Sequence, residues 1–249
     1  MISVRNVSKR FGNQVVLDRI SIDIEQGKTT AIVGPSGVGK SVLLKLIMGI
    51  LEPDEGEISV FGESMTSAKS EAEKNEIRRN LGVLFQSAAL FDSINVYDNV
   101  AFALRERIHL PEDEVHSRTV DMLEALGIID YAKLYPEQIP LGTRKRVGMA
   151  RCLVLNPKII LFDEPNTGLD PLVGQEVYNL IKEGQEKWGV SGVVISHELP
   201  EVFQVSDRIA MILAGKIIFE GTPDNFIASS EPAVQQFLHG KIDGPIKIQ

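Results

Sequence analysis

Cysteine is almost missing from this sequence. One residue of that kind, Cys152, among 249 excludes an internal disulfide and makes a reducing compartment the simpler reading. Cys152 itself is expected to be a small buried packing residue. An excess of positive charge is missing as well. The 26 Lys plus Arg are outnumbered by 34 Asp plus Glu, for a formal charge of −8, which argues against a broad electrostatic footprint for nucleic acid. Long apolar runs are also lacking: Val42 to Leu51 is interrupted by Lys45 and Ile159 to Phe162 is short, whereas a bilayer-spanning helix needs roughly 20 apolar residues. The chain is therefore not expected to cross a membrane by itself. Met1 to Arg10 lacks the apolar run of a signal peptide, so export is not expected. No internal repeat or low-complexity linker separates one part from another, which predicts interleaved lobes rather than beads on a hinge.

What is present is a globular composition, with 43% hydrophobic residues, enough for one large domain or two lobes sharing a cleft. Ile20, Ile22 and Ile24 alternate with Ser21, Asp23 and Glu25, the pattern of a half-exposed antiparallel strand. Thr30 to Val33 is a continuously apolar strand leading into a Gly-rich turn. A helix follows from about Ser41, with Leu43, Ile47 and Leu51 on one stripe. Gly56 to Gly62 is a second β patch, and the charged segment Glu63 to Asn80 reads as an exposed helix with turns. From about Ser87 to Leu155 the pattern is helical; Val115, Thr119, Met122, Leu123 and Leu126 form a stripe that Gly127 ends. Strands of parallel type return at Lys158 to Phe162 and Gly192 to Ser196, around a helix from about Pro171 to Trp188. The expected fold class is α/β: a parallel-sheet core (about 1–86 and 156–225) with an antiparallel β subdomain, a helical lobe (about 87–155) and a tail (about 226–249).

Gly34-Pro35-Ser36-Gly37-Val38-Gly39-Lys40-Ser41 fits the phosphate-binding pattern of Gly, four residues, Gly, Lys and Ser or Thr, between a strand and an amphipathic helix. Small residues let backbone N–H groups curl around phosphate oxygens, and the helix N-terminus adds roughly half a positive charge. Lys40 then neutralises the β- and γ-phosphates, and Ser41 offers its hydroxyl to Mg²⁺. Ile159 to Phe162 delivers Asp163 and Glu164 to a strand end, where Asp163 suits the Mg²⁺ shell and Glu164 suits a general base for the attacking water. An acid pair of this kind also starts ordinary turns. The phosphate loop in the same chain favours the catalytic reading.

With these motifs in place, nearly the whole chain resembles the ATP-binding cassette family of P-loop NTPases. The resemblance implies ATP and Mg²⁺ as cofactors and ATP hydrolysis as the activity. Leu84-Phe85-Gln86 is similar to the family's Gln loop, so Gln86 is expected at the metal or the attacking water. Thr167-Gly168-Leu169-Asp170 resembles the D-loop, whose Asp170 would face nucleotide held with a second copy of the chain. Val194-Ile195-Ser196-His197 resembles the switch strand, with His197 a donor to the γ-phosphate. Phe11 matches the aromatic that stacks on adenine, although it also reads as a core phenylalanine. The family's Leu-Ser-Gly-Gly signature is altered to Ile139-Pro140-Leu141-Gly142. Proline supplies neither a hydroxyl nor an N–H, while Gly142, the helix N-terminus and the hydroxyl of Thr143 survive. Slow or binding-only turnover and a re-shaped but competent loop both fit this change.

The stretches Gly82 to Ser93, Asn95 to Phe102, Leu104 to Glu106, Gln236 to Gly240 and Asp243-Gly244-Pro245 resemble the cassettes of Mla-type phospholipid transporters. That resemblance implies two cassettes beneath an integral membrane permease, at the cytoplasmic face of the inner membrane, with an MCE-domain lipid carrier reached through the permease and no nucleic acid partner. The Ser87 to Tyr97 patch would receive the permease. A cassette for another solute is the alternative. The tail helix Pro232 to Leu238 reads either as a docking contact or as a helix packed on its own chain.

Overall fold

The computed structural model describes residues 1–108 and 110–247. The chain opens with β1 (Ile2–Phe11), β2 (Gln14–Ile24) and β3 (Thr29–Val33), then helix α1 (Lys40–Ile47), β4 (Glu55–Val60), β5 (Glu63–Ser64), α2 (Glu71–Arg78) and β6 (Leu81–Leu84). A helical stretch follows: α3 (Val96–Arg107), α4 (Glu112–Ala125) and α5 (Leu141–Leu153). The chain then alternates β7 (Ile159–Asp163), α6 (Pro171–Trp188) and β8 (Ser191–Ser196) before β9 (Arg208–Leu213), β10 (Lys216–Gly221), α7 (Pro223–Ile227) and α8 (Pro232–His239).

Two sheets organise these elements. β2, β1, β4 and β5 form an antiparallel sheet, and the larger sheet runs β10-β9-β3-β8-β7-β6. In the larger sheet β9, β3, β8, β7 and β6 run parallel to one another. The reason lies in composition: β3 and β8 are buried at every position, as strands covered on both faces must be. Ile20, Ile22 and Ile24 alternate inward with exposed or half-buried neighbours on β2, the antiparallel counterpart. One core cluster joins these isoleucines to Leu43, Leu44 and Ile47 of α1 and to the strands of the larger sheet; a second lies under the helical stretch, with Val100, Leu104, Val115, Leu123 and Met149. Each such side chain contributes about 1.5–3 kcal/mol by leaving water.

Helix α6 spans the predicted residues, set by Pro171 in its first turn, an Asp170 cap and a left-handed Gly189 at its end. One expectation needs correction. Leu51 is not on the α1 stripe, because the helix closes at Ile47 and Gly49 takes φ +66°. Within Glu63 to Asn80 only Glu71–Arg78 is helical, begun by the Ser70 hydroxyl accepting from Glu73 N. Cys152 is buried, and its thiol donates to the Val83 carbonyl at 3.2 Å; burial pushes the thiol up to about 11, as expected of an inert packing residue. No helix among the described residues is long and apolar enough to cross a membrane.

Candidate nucleotide site

Parallel strands bring their C-terminal ends to one edge, and loops leaving that edge define a cleft. Val33 of β3 pairs with Ser196 of β8, Asp163 of β7 with Ile195, and Leu84 of β6 with Phe162. The residues next in sequence therefore emerge side by side: Gly34, His197, Glu164 and Phe85-Gln86. These four departures are consequences of register, so motifs far apart in the chain become neighbours.

After β3 the loop Gly34 to Gly39 turns into α1. Gly39 has φ +103°, and a Cβ on it would lie 2.8 Å from Leu17 Cδ2, so any side chain here would push the loop off the β2 strand. Lys40 is buried at 4% exposure. Its Nζ donates to the Gly34 and Pro35 carbonyls at 2.8 and 2.9 Å, spanning its own loop. Burial lowers the Lys40 pKa, while the Glu164 and Asp163 carboxylates pull it back up.

Ser41 Oγ donates to Asp163 Oδ1 at 3.0 Å. Burial above all raises the Asp163 pKa; the Ser41 hydrogen bond opposes this, and the adjacent Glu164 carboxylate adds to it. A carboxylate and a hydroxyl 3.0 Å apart in a partly buried place, with Gln86 on the same cavity as Asp163, are hard-oxygen groups that favour a cation. The residues present thus fit Mg²⁺.

Glu164 sits in left-handed backbone, φ +48°. A non-glycine residue there costs on the order of 1–3 kcal/mol, and such strain collects at functional sites. Its N–H donates to the Ile195 carbonyl at 3.0 Å, and one carboxylate oxygen accepts from Thr167 Oγ1 at 3.2 Å. The other oxygen lies 3.4 Å from His197 Nδ1. The loop thus carries the carboxylate from β7 to the residue that follows β8.

Gln86, Asp163, Thr167, Gly168 and Leu141 line one cavity of about 460 Å³, so the Gln loop, Asp163 and the altered signature face a shared space. Phe11 is 48% exposed, at the β1–β2 hairpin with Lys9 Nζ 5.7 Å from its ring centre. It is not a core phenylalanine. Ser36 and Gly37 face a second, larger cavity beside β2. Asp170 is taken up in capping α6, its Oδ1 accepting from Leu172 N and Val173 N at 3.1 and 3.2 Å. Gly142 stands in the first turn of α5, apart from the phosphate loop.

Sequence reading missed two residues here. Lys145 is 1% exposed and donates to the backbone carbonyls of Gln86 and Pro165. Burial alone brings its pKa down to about 8. The signal was available, because Lys145 shares the buried stripe of Gly148, Met149 and Cys152 on α5. The other is Glu176 of α6: a Cβ placed on Gly142 would lie 3.0 Å from its Oε2. No local pattern announces a contact between two helices.

A strand-end cleft with a phosphate loop, an acid pair and a following histidine defines the class of P-loop ATP-binding cassettes. Residues 17–167 match the sequence profile of the family described as ABC transporter, and the chain belongs to that family. It is 40% identical over 249 residues to the intermembrane phospholipid transport system ATP-binding protein MlaF of Haemophilus influenzae, covering 100% of this chain and 94% of that one. Among solved structures it is similar to cbiO1 of Clostridium perfringens, part of the ABC transporter complex cbiONQ. The TM-score is 0.84 and the identity 30%, over 92% of this chain and 91% of the other. It is also similar to the dimeric post-hydrolysis state of the ATP-binding cassette MJ0796 bound to ADP and Pi, with TM-score 0.79 and 27% identity over 90% and 99% of the two chains.

Proposed function

We propose that this chain is the ATP-binding and ATP-hydrolysing subunit of a transporter that moves phospholipid. The carrying observation is the convergence of Lys40, Ser41, Asp163, Glu164 and His197 at one edge of a parallel sheet, supported by full-length similarity to a phospholipid-transport ATP-binding protein. Lys40, bridging its own loop through two carbonyls, is placed to exchange them for the β- and γ-phosphates of ATP. Ser41, Asp163 and Gln86 would hold Mg²⁺, whose chemistry is to neutralise charge shared by those phosphates. Glu164 accepts a proton from the attacking water, and His197 donates to the γ-phosphate. Phe11 stacks on the base. The roles in trans fall to Gly142 and Asp170, which would act on nucleotide held with a second copy of the chain.

The remaining partners follow from the same reading. An integral membrane permease receives the face around Ser87 to Tyr97, an MCE-domain lipid carrier is reached through that permease, and the subunit sits peripherally at the cytoplasmic face of the inner membrane. The test is ATP-dependent thermal stabilisation of the parent and Lys40→Ala, followed by lipid transfer with the copurified permease. Loss of stabilisation in Lys40→Ala is expected, because clustered phosphate charge is then poorly neutralised. Equal stabilisation of both proteins refutes the nucleotide assignment, and a permease that carries another solute refutes the phospholipid one.

A further inference from the structure

Helix α8 holds an amide where an apolar residue would be expected. Gln236 is 5% exposed. Its Nε2 donates to the carbonyls of Lys241, Ile242 and Ile246 at 3.2, 3.3 and 2.9 Å, and its Oε1 accepts from Ile246 N at 2.7 Å. One side chain thus supplies the hydrogen bonds that a strand or helix would otherwise give this turn. Close approach is part of the design: a Cβ on Gly244 would lie 2.3 Å from Gln236 Oε1. Ile246 is anchored against the core under the helical stretch.

The turn has a destination. Pro245, Ile246 and Lys247 form one side of a cavity of about 740 Å³, a volume in the range of small-molecule sites, roughly 300–1,000 Å³. Its other sides are Ser36 to Val38 of the phosphate loop, Gln14 to Val16 of β2, and the β9–β10 turn. Gln14 pairs with Phe11 across the hairpin, so the cavity runs from the loop that wraps phosphates toward the aromatic that faces the base. Lys247 is the charged residue among the described residues lining it.

We propose that the C-terminal turn Asp243 to Lys247 is a wall of the nucleotide pocket, set by Gln236, with Lys247 placed as a cation toward a bound nucleoside triphosphate. This rests on the nucleotide reading of the phosphate loop and goes beyond it, because it makes ATP affinity depend on the end of the chain. Pro245 and Ile246 exclude water from the ribose side. Lys247 adds charge that the loop itself, whose Lys40 is held on the Gly34 and Pro35 carbonyls, does not present on that side.

Isothermal titration calorimetry with the Mg²⁺ complex of a non-hydrolysable ATP analogue tests this on the full chain, Lys247→Ala, Lys247→Glu, Lys247→Arg and a chain ending at Asp243. Lys247→Ala is expected to weaken binding on the order of threefold, the scale of an exposed charge contact. Lys247→Glu weakens it further, Lys247→Arg retains it, and the shortened chain loses about tenfold as the apolar wall goes too. Ligand-free melting temperatures of the three Lys247 variants should match the parent, since the residue is exposed. If the parent binds while Lys247→Glu and the shortened chain bind equally tightly, the wall is refuted and the phosphate loop stands. If the parent does not bind, the nucleotide reading falls and the wall with it.

Discussion

The two ends of the proposed composite site are built to different standards. At the phosphate loop, Lys40 is buried, bonded at 2.8 and 2.9 Å, and flanked by a serine and a carboxylate 3.0 Å apart. At the first turn of α5, Pro140 offers no side-chain cap, Leu141 is 44% exposed, and Gly142 faces the carboxylate of Glu176. The first region depends on its own chain for every group it needs. The second, on the reading proposed above, would meet nucleotide only across a dimer, and its first turn is held by few contacts of its own. The loop end is held by buried contacts within its own chain, and the signature end by few. Both can be tested by breaking each end separately.

The largest effect is expected at the strained carboxylate. Glu164→Gln keeps the shape and the Thr167 contact but removes the base, which should lower turnover by about a hundredfold to ten-thousandfold while ATP binding persists. Phosphate release and ATP-dependent thermal shift measured on the same preparation check this. Parental turnover would mean that the left-handed residue after β7 is not the base.

The signature end should move the other way. Pro140→Ser with Leu141→Gly restores a hydroxyl and removes a side chain that is 44% exposed at the first turn of α5. A hydrogen bond to a charged group contributes about 1.5–3 kcal/mol, so permease-coupled ATPase should rise by about one to two decades. If Thr143 and the helix N-terminus already do this work, the reversion leaves activity level and Thr143→Ala becomes the damaging change.

That asymmetry also explains what the sequence disclosed. The phosphate loop, the acid pair and His197 are legible because each is a local pattern at a strand end, and the sheet register then assembles them without further instruction. Helix α6 is legible because Pro171, the Asp170 cap and Gly189 are local signals. Lys145, Gln236 and Glu176 were not singled out, because their roles depend on which backbone or helix arrives opposite them, and that is decided by packing. A buried lysine or glutamine looks polar in sequence; only its position on an apolar stripe hints otherwise.

Asp170 tests whether a residue given a role toward a second copy also serves its own fold. Asp170→Ala removes an acceptor for Leu172 N and Val173 N, which should cost about 1 kcal/mol. The melting temperature of the isolated subunit should fall by about 2–4 °C. Asp170→Ser should keep that stability. If Asp170→Ser still loses ATPase in the assembled transporter, the carboxylate has a second duty there; if it keeps both, capping is its whole role.

The smallest expected effect, and the sharpest test of the comparison, belongs to Glu176. Its carboxylate lies against the first turn of α5, where the N–H groups of Leu141, Gly142 and Thr143 have no intrahelical partner. A negative charge at a helix N-terminus stabilises that helix by about 0.3–1 kcal/mol when exposed. On the proposed reading, in which this turn meets the γ-phosphate held by a second copy, the same charge would repel it. Glu176→Gln should therefore move two observables in opposite senses, one toward weaker folding and one toward tighter nucleotide engagement. The melting temperature of the free subunit should drop slightly, and the KM for ATP in the coupled enzyme should fall by about twofold to fivefold, the equilibrium equivalent of that energy. Both changes should shrink as salt is raised, because an exposed charge is screened within a Debye length of about 8 Å at physiological ionic strength. A lower melting temperature with unchanged KM would confine Glu176 to helix stability and mean that no phosphate approaches this turn, which would remove the second end of the site from the reaction.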